Sequence, residues 1–248
     1  MFAIYKKELA SYFINPIGYV FAGIFLLFSA ILFGYSTYLS KSYDTSAYFM
    51  LMLIAFVILI PLLTMRLFAE ERKMRTEQLL LTAPVTLTGM VMGKFLAAFT
   101  MFFGCIGLSC LNFIPLYAIA AAERGNVDYQ STYIGPITAQ IVGSMIGIVL
   151  VGAAFIAIGT FISSLTENQL AAAVITISVL LALIGIGFLA SFVDNYIVRM
   201  ALSYVSIIGR FSNLSSGVMD ISATIYFASL AFVFLFLTVR VYEKRRWS

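Results

Sequence analysis

Gly89-Met90-Val91-Met92-Gly93-Lys94 is the stretch whose residue types most suggest nucleotide chemistry, since a glycine-rich turn ending in lysine can cradle phosphates. The spacing excludes it. A phosphate loop needs four residues between its glycines and a Ser or Thr after the lysine; here there are three, and Phe95 follows. The glycines instead suit close helix contact at the entrance of an apolar run. Cys105 and Cys110 offer thiols, but they lie inside an apolar stretch, poorly placed on one helix to bridge, and read as small buried side chains. The chain contains no histidine. That removes Ser–His and Cys–His nucleophile pairs, histidine-bearing zinc motifs and histidine proton relays. What remains is one densely charged segment: Arg66, Glu70, Glu71, Arg72, Lys73, Arg75 and Glu77.

The elements that hold this segment follow from composition. Of 248 residues, 62% are hydrophobic and 10% charged, with a mean hydropathy of +1.03. A soluble domain carries about 25% charged residues. This chain lacks the polar groups to cover itself in water, so its solvent is a bilayer. Each helical crossing of a ~30 Å hydrocarbon core takes about 20 apolar residues. Runs of that kind occupy 17–39, 47–65, 89–120, 136–162, 170–193 and 221–239. The expected fold is all-α: a polytopic integral membrane protein with six transmembrane helices in a single domain, 1–248. The net charge of +4, with no long basic run, speaks against a nucleic-acid partner.

Local signals mark the ends of the runs. In residues 1–14, Phe2, Tyr5, Leu9, Tyr12 and Phe13 oppose Lys6, Lys7, Glu8 and Ser11, as in an amphipathic helix lying in the headgroup plane. The apolar run after Pro16 is too long for a signal peptide, and no small-x-small site follows it, so it is a retained span. Asn15 can cap that span, and proline is tolerated at a first helical position. Pro61 sits where it would kink the second span. Ser164 and Glu167 have capping-box spacing ahead of the fifth. Gly143-x-x-x-Gly147, then Gly152 and Gly159, line the fourth with small residues. They suit helix packing and suggest a dimer contact, with ordinary glycine enrichment in membrane helices as the alternative.

Six spans put both termini, the second-to-third link and the fourth-to-fifth link on one side. That side holds eleven of the fifteen cations: Lys6, Lys7, Arg66, Arg72, Lys73, Arg75, Lys94, Arg240, Lys244, Arg245 and Arg246. Lys41, Arg124, Arg199 and Arg210 fall on the other. The richer side is expected to be cytoplasmic, in a cell inner or plasma membrane. No ionisable residue falls centrally in a span, and Lys94, near the cytoplasmic end of the third, is expected to snorkel. Ion-coupled transport needs buried ionisable groups, so energy for any movement would arrive from a partner. Phe25, Phe28, Phe102, Phe103 and Tyr117 could line a greasy path, although their helical spacing equally suits lipid-facing or core positions.

The charged segment, 66–88, reads as a cytoplasmic amphipathic helix. Glu71 and Arg75 have i,i+4 spacing, as do Lys73 and Glu77 in the weaker order. Leu79, Leu80 and Leu81 are apolar, and Pro84 stops the helix. Two readings stay open from the residues alone: a loop that fixes topology, or a rigid lever that docks in another protein.

Glu70-Glu71-Arg72 followed by Thr76-Glu77-Gln78-Leu79-Leu80-Leu81-Thr82-Ala83-Pro84 resembles the region after the second span of type-2 ABC exporter permeases. Ser163 to Gln169 with Ala171-Ala172 is similar to that family's fourth-to-fifth link, and Lys7-Glu8-Leu9 to Pro16 to its interfacial helix. Phe211 to Asp220, Ile225-Tyr226-Phe227 and Arg245-Arg246-Trp247 are similar to the gliding-motility-type branch. The resemblance implies a non-catalytic subunit that pairs with a second permease subunit and sits on a nucleotide-binding ATPase. ATP and Mg2+ would be held by that ATPase, with no cofactor on this chain. The coupling residues it implies are Phe68, Glu70, Glu71, Arg72 and Arg75, then Thr76, Glu77, Leu80 and Pro84. Lys6, Lys7 and Glu8 would belong to the interfacial helix. Segment 194–220, too polar to span and too apolar for a free loop, would be an outer re-entrant helix pair. Substrate would be exported or flipped. A membrane scaffold or assembly subunit, and an ATP-independent channel, are the alternatives.

Overall fold

The computed structural model describes residues 1–40, 42–76, 86–124, 135–189, 192, 195–217 and 220–247, and among these every regular element is helical. Helix α1, Phe2–Ile14, turns at Asn15 into α2, Pro16–Phe33, which ends in a π-helical turn, Gly34–Leu39. Helix α3, Ser46–Thr64, is followed by the short α4, Ala69–Lys73. Helix α5, Leu87–Ser109, passes through a 3-10 turn, Cys110–Asn112, into α6, Phe113–Arg124. Then come α7, Thr138–Leu165, and α8, Gln169–Leu189. Two short helices follow, α9, Tyr196–Val205, and α10, Ile207–Ser215, before α11, Ile221–Trp247. Among the described residues, six helices are long and apolar enough to cross a membrane: Pro16–Leu39, Ser46–Lys73, Leu87–Ala122, Thr138–Leu165, Gln169–Leu189 and Ile221–Arg246. The chain is an all-α polytopic membrane protein.

Helix α7 is the centre of the bundle, packed on α3, α5, α8, α10 and α11. Lipid tails are as apolar as the side chains they would displace, so helix association there depends on close packing. Small residues on α7 supply it. Gly159 lies under Thr64 of α3, where a Cβ would overlap that side chain. Phe25, Phe56 and Phe102 form a buried triad with ring centroids 5.0–6.1 Å apart. Phe28, Phe103 and Tyr117 face outward instead. The five aromatics considered for a path therefore divide between core and exterior.

Among the described residues, the buried polar side chains are partnered, as a bilayer requires, except the Thr45 hydroxyl just before α3. Asn112, at the 3-10 break in the third span, donates to Ser29 Oγ at 3.0 Å. Ser29 in turn shares a 2.9 Å hydrogen bond with the Tyr48 hydroxyl. Spans one, two and three are thereby tied at one level.

Gly143 and Gly147 do pack closely, but against this chain. Gly143 faces Leu214 and Gly217, and Gly147 faces Leu214 and Phe211, all at or just beyond α10. Ser144 Oγ also donates to the Ser215 carbonyl at 3.3 Å. The suggested dimer contact at these two glycines is thus corrected: α10 already covers them. At the same end, Asp44 accepts from the Ser46 N–H at 2.9 Å and from Gln140 at 2.7 Å. Burial alone would raise its carboxyl, but these hydrogen bonds win and hold it below the usual range. The α9–α10 pair is fastened to α11 by Arg210, which donates to Ser222 Oγ at 2.9 Å and stacks on Tyr226.

The end signals hold in part. Pro16 is the first residue of α2, but Asn15 makes no side-chain cap. Helix α3 runs through Pro61 and ends at Thr64. The turn at Asn15 is so tight that a Cβ on Gly18 would run into the Tyr12 carbonyl. Gly18→Ala must therefore move backbone, with an expected loss of about 1–3 kcal/mol. Gly104→Ala meets nothing within 4 Å and should stay within about 0.5 kcal/mol of the parent. Thermal unfolding of both variants in detergent checks the contrast.

Candidate functional site

Where α3 leaves the bundle at Thr64, the chain makes one turn and restarts as α4. The restart has a physical cause. Ser163 of α7 accepts hydrogen bonds from the backbone N–H of Phe68 at 3.1 Å and of Ala69 at 3.2 Å. Its hydroxyl donates to the Met65 carbonyl at 3.2 Å. A side chain from another span thus caps a helix that has no capping residue of its own. The far end closes as sharply. Thr76 N–H bonds to the Glu71 carbonyl at 3.0 Å and Arg75 N–H to the Arg72 carbonyl at 3.1 Å, with Arg75 at φ 56°. This is a Schellman ending, with arginine where glycine is usual.

The expected amphipathic helix over 66–88 therefore stops after Lys73. Arg75 lies past its end, so the i,i+4 pair with Glu71 does not form on a helix. Glu77, Leu80 and Pro84 lie outside the described residues, as do Lys73's supposed partner position and the three leucines.

Glu71 reaches Lys94 instead. The Lys94 ammonium meets Glu71 Oε1 at 2.9 Å, Glu8 Oε1 at 3.0 Å and the Leu67 carbonyl at 2.7 Å. Three N–H bonds meet three acceptors on three different elements. The Phe68 ring lies 5.1 Å from the same nitrogen. With its side chain 1% exposed, Lys94 does not snorkel; Glu8 and Glu71 are 14% and 17% exposed. A lysine buried beside the chain's own carboxylates has no need to reach for water. Lys7 stands 4.0 Å from both Glu8 and Glu71 but is 69% exposed. Gly89 and Gly93 do allow close contact: Met1 and Ile4, at the start of α1, rest on them just before Lys94.

The next residue joins the opposite side. Arg72 donates to the Leu165 carbonyl at 2.9 Å and pairs with Glu167 at 2.9 Å. Glu167 is therefore absent from the capping box expected with Ser164, whose hydroxyl bonds to Phe161 within α7. Asn168 caps α8 instead, accepting from Leu170 N–H at 3.0 Å. Arg66 and Glu70 form a two-point pair, both contacts at 2.7 Å. Phe68 stacks on Tyr242 of α11 at 5.0 Å, and Arg245 donates to the Ser164 carbonyl at 2.7 Å. Tyr12 of α1 donates to the Leu63 carbonyl at 3.1 Å, and burial pushes its phenol well above the ordinary range. Between α1 and α4 lies an open cleft of about 420 Å³, bordered by Lys7, Ser11, Arg66, Glu70 and Met74.

The structure brings Lys7, Glu8, Phe68, Glu70, Glu71 and Arg72 together, leaves Lys6 exposed on α1, and places Gly143 and Gly147 at the other end of the bundle. Lys94, Ser163, Leu165 and Tyr242 belong to the same joint, although their spacing gave no sign of it. The hints available are Lys94, a lone charge within an apolar run, and the resemblance carried by the link that holds Ser163 and Leu165. The assembly is a joint, gathering α1, the α3–α4 turn, the start of α5, the α7–α8 link and the end of α11. Ser163→Ala leaves two N–H groups without their acceptor and is expected to cost about 1–3 kcal/mol. Arg75→Gly removes a left-handed non-glycine residue and should gain about 1–2 kcal/mol. Detergent melting curves of the two variants, shifting in opposite directions, test this account of the segment's ends.

The family model for "ABC-2 family transporter protein" matches residues 12–185. No curated protein matches the chain. The matched region runs from the last turn of α1 through most of α8 and includes the α3–α4 turn, Lys94, Ser163 and the α7–α8 link. The chain belongs to the ABC-2 family of transporter proteins and is a membrane permease of an ABC transporter.

Proposed function

We propose that the chain is the non-catalytic permease subunit of an ATP-driven exporter or flippase. Its energy comes from ATP, with Mg2+, hydrolysed in a separate nucleotide-binding subunit. The observation that carries this reading is the joint: five elements meet at residues 65–76, while Lys73, Met74, Arg75 and Thr76 stay exposed beside them. A partner pressing on that face meets a segment bonded to α1, α5 and the α7–α8 link, so its movement reaches several spans. Phe68, Glu70, Glu71 and Arg72 are the coupling residues within the joint, and Arg75 and Thr76 lie on its docking side.

The bias of eleven cations among fifteen supports a cytoplasmic position for the end that carries both termini, in the cell's inner or plasma membrane. Helix α1, with Lys6 and Lys7 outward, lies along the headgroups there. The α9–α10 pair is the re-entrant segment at the outer side. A second permease subunit completes the transporter, and substrate passes between the two or laterally from the bilayer. Similarity to the gliding-motility-type branch says nothing about cargo, since a fold does not fix what is carried.

Purification of the tagged chain from its native membrane in mild detergent should recover a nucleotide-binding ATPase with hydrolysis activity. Reversing charge on the docking face, with Lys73→Glu and Arg75→Glu together, should weaken that association about tenfold or more. Recovery of partners without ATP hydrolysis would make the chain a scaffold. Ion conductance in a planar bilayer without any ATPase would make it a channel.

A further inference from the structure

We infer that Lys94 is a positioning residue for coupling: it locks the 65–76 segment, α1 and the third span into one body, so that a push on the segment moves α5. The inference rests on the permease reading above and deepens it. Four features of the structure carry it.

The first is saturation. Each N–H of the ammonium is used, and the three acceptors belong to α1, the α3–α4 turn and α4. The second is burial. A charge withdrawn from water is tolerable only while paired, and removing one partner strands the others. Sliding α4 away from α5 would leave Glu71 or Lys94 unpaired, so the pair resists sliding more than neutral packing would. The third is charge balance. Glu8 and Glu71 both turn toward one nitrogen, and without it two carboxylates would face each other across the joint. Lys7, 4.0 Å from each and mostly exposed, is too distant and too wet to replace it. The fourth is backbone support. Gly93, next to Lys94, and Gly89, one turn before Gly93, let the start of the chain lie directly on α5. The ionic tie is thus backed by a close helix contact in the same register. By contrast, Arg72 pairs with a Glu167 side chain that is 72% exposed. That ion pair is solvated and yields more easily than the buried one at Lys94.

The test uses the complex of this chain with its co-purified ATPase, with Cys105 and Cys110 replaced by Ser and spin labels at Thr76→Cys and Gly104→Cys. Three variants are compared with the parent: Lys94→Met, Lys94→Arg and the neutral triple Lys94→Met/Glu8→Gln/Glu71→Gln. In the parent, the label-to-label distance should stay narrow and unchanged when ATP and vanadate are added. In Lys94→Met it should broaden and shift with nucleotide, and kcat for ATP hydrolysis should fall about tenfold with KM and ATPase binding unchanged. Lys94→Arg should recover most of kcat. The neutral triple, which has no stranded charge, should fold and remain uncoupled. It also carries the test if Lys94→Met fails to fold. A triple variant with parental kcat and a parental distance would overturn the proposal, because the three charges would then serve stability alone. Lys94→Met behaving as the parent would overturn it as well. A parent chain that binds no ATPase sinks the permease reading first, and this inference with it.

Discussion

A lysine ammonium withdrawn from water needs an acceptor for each N–H and a negative charge nearby, and few places in an apolar bundle can offer both. Lys94 finds them where three chain segments converge. Much of the surrounding architecture reads as a consequence. Helix α1 must lie flat enough to bring Glu8 within reach, so the chain turns sharply at Asn15 and crosses over Gly18. Helix α3 must end early enough to bring the Leu67 carbonyl over the same nitrogen. Helix α4 must restart at once so that Glu71 points inward. If the lysine were exposed, each of these geometries would be one option among several.

The opposite end obeys a different rule. There the chain has few charges, and order comes from shape. Small residues on α7 let α10 nest against it, and Arg210 holds the helix pair to α11 through a hydrogen bond and an aromatic face. A stiff ionic joint at one end and a packed helix pair at the other bracket a body whose polar side chains satisfy one another, as in Ser29, Tyr48 and Asn112. This separation suits a protein that receives force at one end.

The spans were legible because crossing a bilayer is a demand on length and apolarity, both of which are local. The third span was read as one run, and the 3-10 break at Cys110–Asn112 escaped because its reason, a hydrogen bond to Ser29, lies 83 positions away. The charged segment was recognised as important, but its end was not: the Schellman turn uses Arg75, which carries none of the usual glycine or proline signal. Lys94 is buried rather than snorkelling, which its local sequence does not reveal, since its partner Glu8 stands 86 positions earlier. The glycines of α7 announced close packing truthfully and were silent about the partner, because a small side chain fits any neighbour of the right shape.

The cap on α4 also dictates an order of events in biosynthesis. A helix of five residues cannot nucleate by itself. The hydroxyl that starts it belongs to Ser163, 95 positions later in the chain than Phe68. While the ribosome is still making the third span, residues 65–76 can meet Glu8 and then Lys94, but the hydroxyl that caps α4 is not yet made. They acquire their shape only when the fourth span has entered the bilayer and packed beside the second. The finished 65–76 segment therefore appears late, on a bundle already mostly assembled.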